Sequence, residues 1–159
     1  MDHWRRGDYV ISTDQARLDF DVVHRYLTQS YWSPGITRAT VERAARNSMT
    51  FGIYYIAAGG APASPGAWEQ VGYARAITDR TTFAYVADVF VLESHRGRGL
   101  GVWLVETICA HPELQGLRRW LLATRDAHGL YAPFGFVPLK DPGRWMERVD
   151  PAQSSSSHV

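Results

Sequence analysis

The sequence of 159 residues contains a single cysteine, Cys109. One thiol cannot form an intramolecular disulfide, and no multi-cysteine metal site can be built from it. That usage suits a reducing cytoplasm. Neither sign of charge is in excess: 17 Lys and Arg against 16 Asp and Glu leave a formal charge of +1. This balance excludes a whole-protein electrostatic case for binding nucleic acid or an anionic membrane. No apolar run approaches the roughly 18 residues that a membrane span needs, and Met1–Asp8 lacks the apolar stretch of a signal peptide. His3, His24, His111 and His158 are scattered without metal-ligand spacing, so no metal site is expected. These absences point to a soluble, cytoplasmic protein.

Hydrophobic residues make up 45% of the chain and aromatics 13%. The length suits one domain, expected over residues 1–150, and Ser154–Val159 reads as the end of a disordered tail beginning at 151. Tyr9–Ser12 is a short strand candidate. Leu18, Val22, Val23, Tyr26 and Leu27 then recur at helical spacing, predicting a helix over Arg17–Tyr31 with Asp14 as its cap. Ser33-Pro34-Gly35 breaks it, and Thr37 or Thr40 can cap a second helix ending near Asn47.

Met49–Ala57, Gln70–Thr78 and Phe83–Leu92 read as strands, the first two separated by the small flexible loop Gly59–Gly66. Phe83–Leu92 is the most apolar and is expected to be central. A helix over Gly101–Ala110 follows, then a short strand, Trp120–Thr124, and a short helix over Ala127–Phe134. Closing strands are expected at Phe136–Leu139 and Arg144–Val149. The order predicts a mixed α/β sheet in one domain.

The informative stretch is Val89–Trp103, where a buried strand runs into a glycine-rich turn that opens a helix. Free amides at a helix N-terminus, with the helix dipole behind them, form an anion site. Glycine allows close approach of a phosphate, and Arg96 and Arg98 add charge. The expected ligand therefore carries phosphates. A Walker A ending in Gly-Lys-Ser/Thr is absent. The dinucleotide fingerprint fails as well, because it would need glycine at Val102 or Leu104.

Arg96-Gly97-Arg98-Gly99-Leu100-Gly101 instead resembles the acyl-CoA motif of the GNAT N-acetyltransferases, Arg/Gln-x-x-Gly-x-Gly/Ala. Ala127–Phe136 resembles that family's Ala-x-x-x-Tyr-x-x-x-Gly-Phe segment. The element order matches from about Tyr9 to Val149, although the specific motifs lie between Val89 and Phe136. One departure is Thr124, where many members have an asparagine that touches the cofactor.

The resemblance implies a single-domain, mostly antiparallel sheet flanked by helices, with a splayed central strand pair. It implies acetyl-CoA as cofactor, with Val91 offering backbone bonds to the pantetheine arm and Phe90 among the cofactor-binding residues. Arg96, Gly97, Arg98, Gly99, Leu100, Gly101 and Val102 would surround the pyrophosphate. Tyr131 would protonate the departing thiolate, and an acetyl group would pass to a primary amine, of a small molecule or a peptide, in a ternary complex. No nucleic-acid or membrane partner is implied, and association into oligomers is left open.

Other candidates come from the residues themselves. Asp88 is a carboxylate in an apolar strand, either a general base or a partner for an arginine such as Arg75. Tyr31, Trp32, Ser33 and Pro34 lie between the first two helices, where Tyr31 and Trp32 either stack on a flat substrate or cap the core. Asp126 is expected to cap the short helix, with His128 beside it. His95 is expected in solvent. Cys109, mid-helix and flanked by apolar residues, is a poor nucleophile, and Trp4, Trp68, Trp120 and Trp145 read as packing residues. Two other classes compete with the enzyme: a non-catalytic acyl-CoA sensor, which needs no leaving-group acid, and a nucleotide-binding domain, which the failed fingerprint disfavours.

Overall fold

The structure, a computed structural model, describes residues 1–56 and 68–154. Six strands make one sheet: β1 (His3–Arg6), β2 (Tyr9–Ser12), β3 (Met49–Ile56), β4 (Trp68–Thr78), β5 (Phe83–Val91) and β6 (Arg119–Leu121). They lie side by side in chain order. Neighbours are antiparallel from β1 to β5, and β6 runs parallel to β5. Helices α1 (Phe20–Thr28) and α2 (Arg38–Arg46) precede β3, α3 (Leu100–Ala110) crosses from β5 to β6, and α4 (His128–Tyr131) follows β6.

Both faces of the sheet are covered, which is why β3 is buried along nearly its whole length. On one face α3 packs Leu100, Trp103, Leu104 and Ile108 against Ile11, Phe51, Ile53, Val71 and Ala74. On the other, Val23 and Leu27 of α1 and Val41 of α2 meet Tyr73 and Phe90. Complete burial of such side chains supplies the main drive for folding.

Local sequence sets the ends of the helices. Asp19, not Asp14, caps α1, its carboxylate accepting from the amides of Asp21 and Val22. Asp14 caps a separate 3-10 turn over Gln15–Arg17, so α1 starts later than the apolar stripe suggests. Thr37 caps α2 through the Thr40 amide, and Asn47 closes it. Gly99, in left-handed conformation at φ +72°, turns the chain into α3.

Several expectations are corrected. β1 does not stand out in the sequence, because the consecutive Arg5 and Arg6 break any alternation in a strand exposed at the sheet edge. β5 is penultimate in the sheet, and its apolar run serves helix packing and a cleft rather than a central position. The closing strands at Phe136–Leu139 and Arg144–Val149 do not form. Pro138 lacks a ladder donor, and Pro142–Arg144 coils into a 3-10 turn. Val137 and Met146 are accordingly 80% and 96% exposed.

Trp145 is not a core residue either, being half-exposed beneath the Arg119 guanidinium. Pro151–Ser154 forms a helical turn inside the expected tail. The Gly59–Gly66 loop and residues 155–159 lie outside the described residues. No described helix is long and apolar enough to cross a membrane.

Candidate active site

β5 and β6 pair over three residues, Phe83–Tyr85 with Arg119–Leu121, and then part. A bulge sits just beyond, where the register against β4 slips between Ala87, opposite Arg75, and Phe90, opposite Tyr73. Asp88 occupies it with φ +56°. Aspartate is among the few side chains that tolerate this left-handed region, and a bulge there bends and twists the strand. The fork opens a cleft of about 1160 Å³, bordered by the α1–α2 loop, β5, the start of α3, the loop after β6, and Tyr131.

At one end of the cleft the chain offers backbone. The Leu92 amide donates to the Val71 carbonyl at 2.8 Å. Antiparallel pairing alternates, so Val91, opposite Gly72, turns its own N–H and C=O away from β4 toward the fork. Gly97 and Gly99 both have left-handed φ. The first turn of α3 bears no acidic residue, and its leading amides lack helical partners. Arg96 does not point freely into solvent: its Nε donates to the Val91 carbonyl at 2.9 Å, and another guanidinium nitrogen to Tyr26 Oη at 3.0 Å. His95 is likewise engaged, its Nδ1 lying 2.9 Å from Tyr9 Oη.

At the other end the cleft is built from side chains. Tyr131 is buried, edge-on to Phe136, and burial, aided by the nearby Tyr31, pushes its phenol up to about 12. Asp88 is half-buried, with its side chain 8% exposed. Arg75 donates from Nε to one carboxylate oxygen, and Trp32 Nε1 donates to the other at 3.1 Å. Of the two readings of Asp88, the arginine partner is therefore realised in the structure, and the carboxylate also faces the cleft. Tyr31 reaches the opposite wall: its Oη accepts from the Arg125 amide at 3.1 Å, and the Arg125 guanidinium lies 4.0 Å from its ring centre.

Asp126 does not cap α4. The Thr124 hydroxyl accepts from the Ala127 amide instead, and Asp126 pairs loosely with Arg125. Burial raises the Cys109 thiol, and Cys109 lies outside the residues lining the cleft. Tyr26, Tyr85 and Arg125 also line the cleft, and none was picked out as a site residue from sequence. Tyr26 had passed as one rung of the helical stripe. Only the unusually charged Arg125-Asp126 pair marked its neighbourhood.

A forked strand pair and a buried phenol thus lie along one cleft, which the glycine-rich turn meets at Arg96 and Gly101, while Gly97, Arg98, Gly99, Leu100 and Val102 do not line it. Residues 52–138 match the Acetyltransferase (GNAT) domain family. The chain belongs to the GNAT acetyltransferases. A GNAT-family structure from Xanthomonas campestris pv. campestris, provisionally named an acetyltransferase, is 46% identical, superposes with a TM-score of 0.79, and covers 90% of this chain and 94% of its own. A Gibberella zeae protein, likewise provisionally named an acetyltransferase, is 36% identical over 81% of this chain and 78% of its own length. A Clostridium acetobutylicum structure, named from prediction as an acetyltransferase and containing acetyl-CoA, is 13% identical with a TM-score of 0.59, and covers 89% of this chain and 94% of its own. At that identity it supports the fold alone. The GNAT fold expected from the motifs is the fold observed.

Proposed function

We propose that the protein transfers an acetyl group from acetyl-CoA to a primary amine, with both bound together in the cleft. The observation that carries this reading is the fork itself. It turns the Val91 backbone outward between a phosphate cradle and a buried phenol. The residues present fit an acyl-CoA: two left-handed glycines, free amides at the start of α3 and the cationic Arg96 and Arg98 would hold its pyrophosphate. Val91, whose backbone faces the fork, would hold its extended arm as a neighbouring strand would be held, and Phe90 would border it.

When bound, the thioester supplies an acetyl carbon open to attack by a neutral amine. The amine nitrogen bonds to that carbon as the carbon–sulfur bond breaks. No covalent enzyme intermediate is required. Tyr131 holds a proton at Oη well above neutral pH and can give it to the departing sulfur. An outward strand amide at Val91 can polarise the carbonyl. Asp88 is the half-buried carboxylate facing the cleft that can take the amine's proton. Arg75 and Trp32 engage two of its roughly four lone-pair positions, and the rest stay open to the amine or to a water.

The test is acetyl-CoA binding by calorimetry, followed by thiol release over a panel of amines. Binding with amine-dependent thiol release supports the enzyme. Tight binding with no release from any amine would indicate a sensor instead.

A further inference from the structure

We infer that the acceptor amine carries a flat aromatic group and no second positive charge. The inference rests on the acetyl-transfer reading above and concerns the half of the cleft that the acyl-CoA motif does not describe. Four rings from α1, the loop after it and β5 form one continuous wall there. Tyr31 and Trp32 meet edge-to-face at 5.1 Å, Trp32 and Tyr26 lie 6.2 Å apart, and Tyr26 stacks on Phe90 at 3.9 Å.

The polar atoms of the first three rings are already engaged inside the protein. Tyr31 Oη accepts from the Arg125 amide, Trp32 Nε1 donates to Asp88, and Tyr26 Oη accepts from Arg96. Beyond one O–H donor on each tyrosine, what this wall offers a ligand is ring surface. Tyr31 and Trp32 are 46% and 38% exposed, and neither belongs to the hydrophobic clusters of the core. They are therefore not simply a cap on packed side chains. Their planes are 81° apart, so a third ring can stack on one while meeting the other edge-on, both favourable aromatic geometries. An aliphatic chain gains nothing from that corner beyond apolar contact.

Charge removes the competing class. Two carboxylates line the cleft, Asp88 and Asp126, and each already faces an arginine, Arg75 and Arg125. Arg96 adds a further positive charge. A polyamine or aminoglycoside would bring additional ammonium groups to a cleft whose one lining carboxylate besides Asp88 is the exposed Asp126, 4.0 Å from the Arg125 guanidinium. The reacting amine sheds its proton before attack, so a ring joined by a short arm to one primary amine meets no such penalty. Transfer leaves the ring unchanged: the ammonium's first proton passes through Asp88 to solvent before attack, the nitrogen–carbon bond forms as the carbon–sulfur bond breaks, the nitrogen's second proton leaves toward Asp88, and sulfur takes the Tyr131 proton, which solvent replaces.

The experiment compares 2-phenylethylamine, n-butylamine and spermidine by acetyl-CoA-dependent thiol release. The expected result is a kcat/KM for 2-phenylethylamine at least about tenfold above n-butylamine, the scale of a good aromatic contact, with spermidine lowest. Trp32→Leu is expected to collapse that preference through a higher KM for 2-phenylethylamine, and Trp32→Phe to restore most of it. Equal or better use of n-butylamine or spermidine by the wild-type protein overturns the inference and leaves acetyl transfer standing. So does a preference that survives in Trp32→Leu. Failure to release thiol with any amine overturns both readings. If Trp32→Leu does not fold, the wild-type ratio and the Trp32→Phe protein decide.

Discussion

The two ends of the cleft are made from different materials. The end proposed to hold phosphate is backbone: left-handed glycines, helix amides and the outward peptide of Val91, all within the contiguous stretch 91–102. The acceptor end is side chains drawn from α1, the loop after it, β4, β5 and the loop after β6. A site built from backbone needs a particular local conformation, so it leaves a compact pattern in the sequence. A site built from side chains needs only that distant positions converge, and convergence leaves no local pattern.

The largest effect is expected where the ends meet. Tyr131→Phe keeps the ring against Phe136 and removes the hydroxyl, so the rate of thiol release at saturating substrate should fall roughly 10²-fold. CoA affinity should change little. Near-wild-type turnover in a stably folded Tyr131→Phe protein would assign the proton to water or to His128.

The backbone end should break next. Gly99 has φ +72° with open space around it, so a side chain there meets strain rather than a clash. Gly99→Val should weaken CoA by on the order of 2 kcal/mol. Unchanged calorimetric affinity in a folded Gly99→Val protein would remove the amides of this loop from the phosphate site.

Asp88 sharpens the contrast, because it serves both materials: its φ shapes the strand and its carboxylate joins Arg75 and Trp32. Asp88→Asn tolerates the left-handed φ and keeps an acceptor for Trp32. Its rate loss should be greatest at low pH and partly recovered as pH rises and the free amine arrives deprotonated. Asp88→Ala should also lower stability, by roughly 1–3 kcal/mol, through strain at the bulge and an unpaired Arg75. A pH–rate profile for Asp88→Asn that superimposes on wild type would leave Asp88 an anchor alone.

The smallest effect concerns alkaline stability. The Tyr131 phenol lies near 10 in an unfolded chain and is pushed up to about 12 here, mainly by burial. Its contribution is fully present below pH 10 and is lost as pH rises toward 12, because the unfolded chain releases the proton first. Chemical unfolding at pH 9 and pH 11 should show wild type losing more stability than Tyr131→Phe. An equal loss would mean that the phenol is not desolvated.

Legibility followed the same division. The order of α1, α2, β3, β4, β5 and α3 could be read from periodicity and caps, and Arg96–Gly101 and Tyr131 from local motifs. β1 was missed because its residues alternate too weakly in hydrophobicity. Phe136–Leu139 was misread because strand-forming composition says nothing about whether a partner edge accepts a chain containing Pro138. The Asp88–Arg75 pair was anticipated as one of two options, since a carboxylate in an apolar strand requires a partner. Tyr26 and Arg125 carried no such conflict. Each is ordinary in its own segment and acquires its place in the cleft only once the strands fork.

Arg96 bridges the two materials. One guanidinium holds the Val91 carbonyl and the Tyr26 hydroxyl, one bond on the side of the nucleotide and one on the side of the acceptor. A ligand that draws this guanidinium toward phosphate releases Tyr26 and with it the inner anchor of the aromatic wall. Occupancy at either end then alters affinity at the other, and thermodynamic reciprocity makes the factor the same in both directions. Steady-state kinetics would register such coupling as substrate synergy or antagonism, and replacing Tyr26 by phenylalanine would uncouple the two affinities without touching either ligand's own contacts.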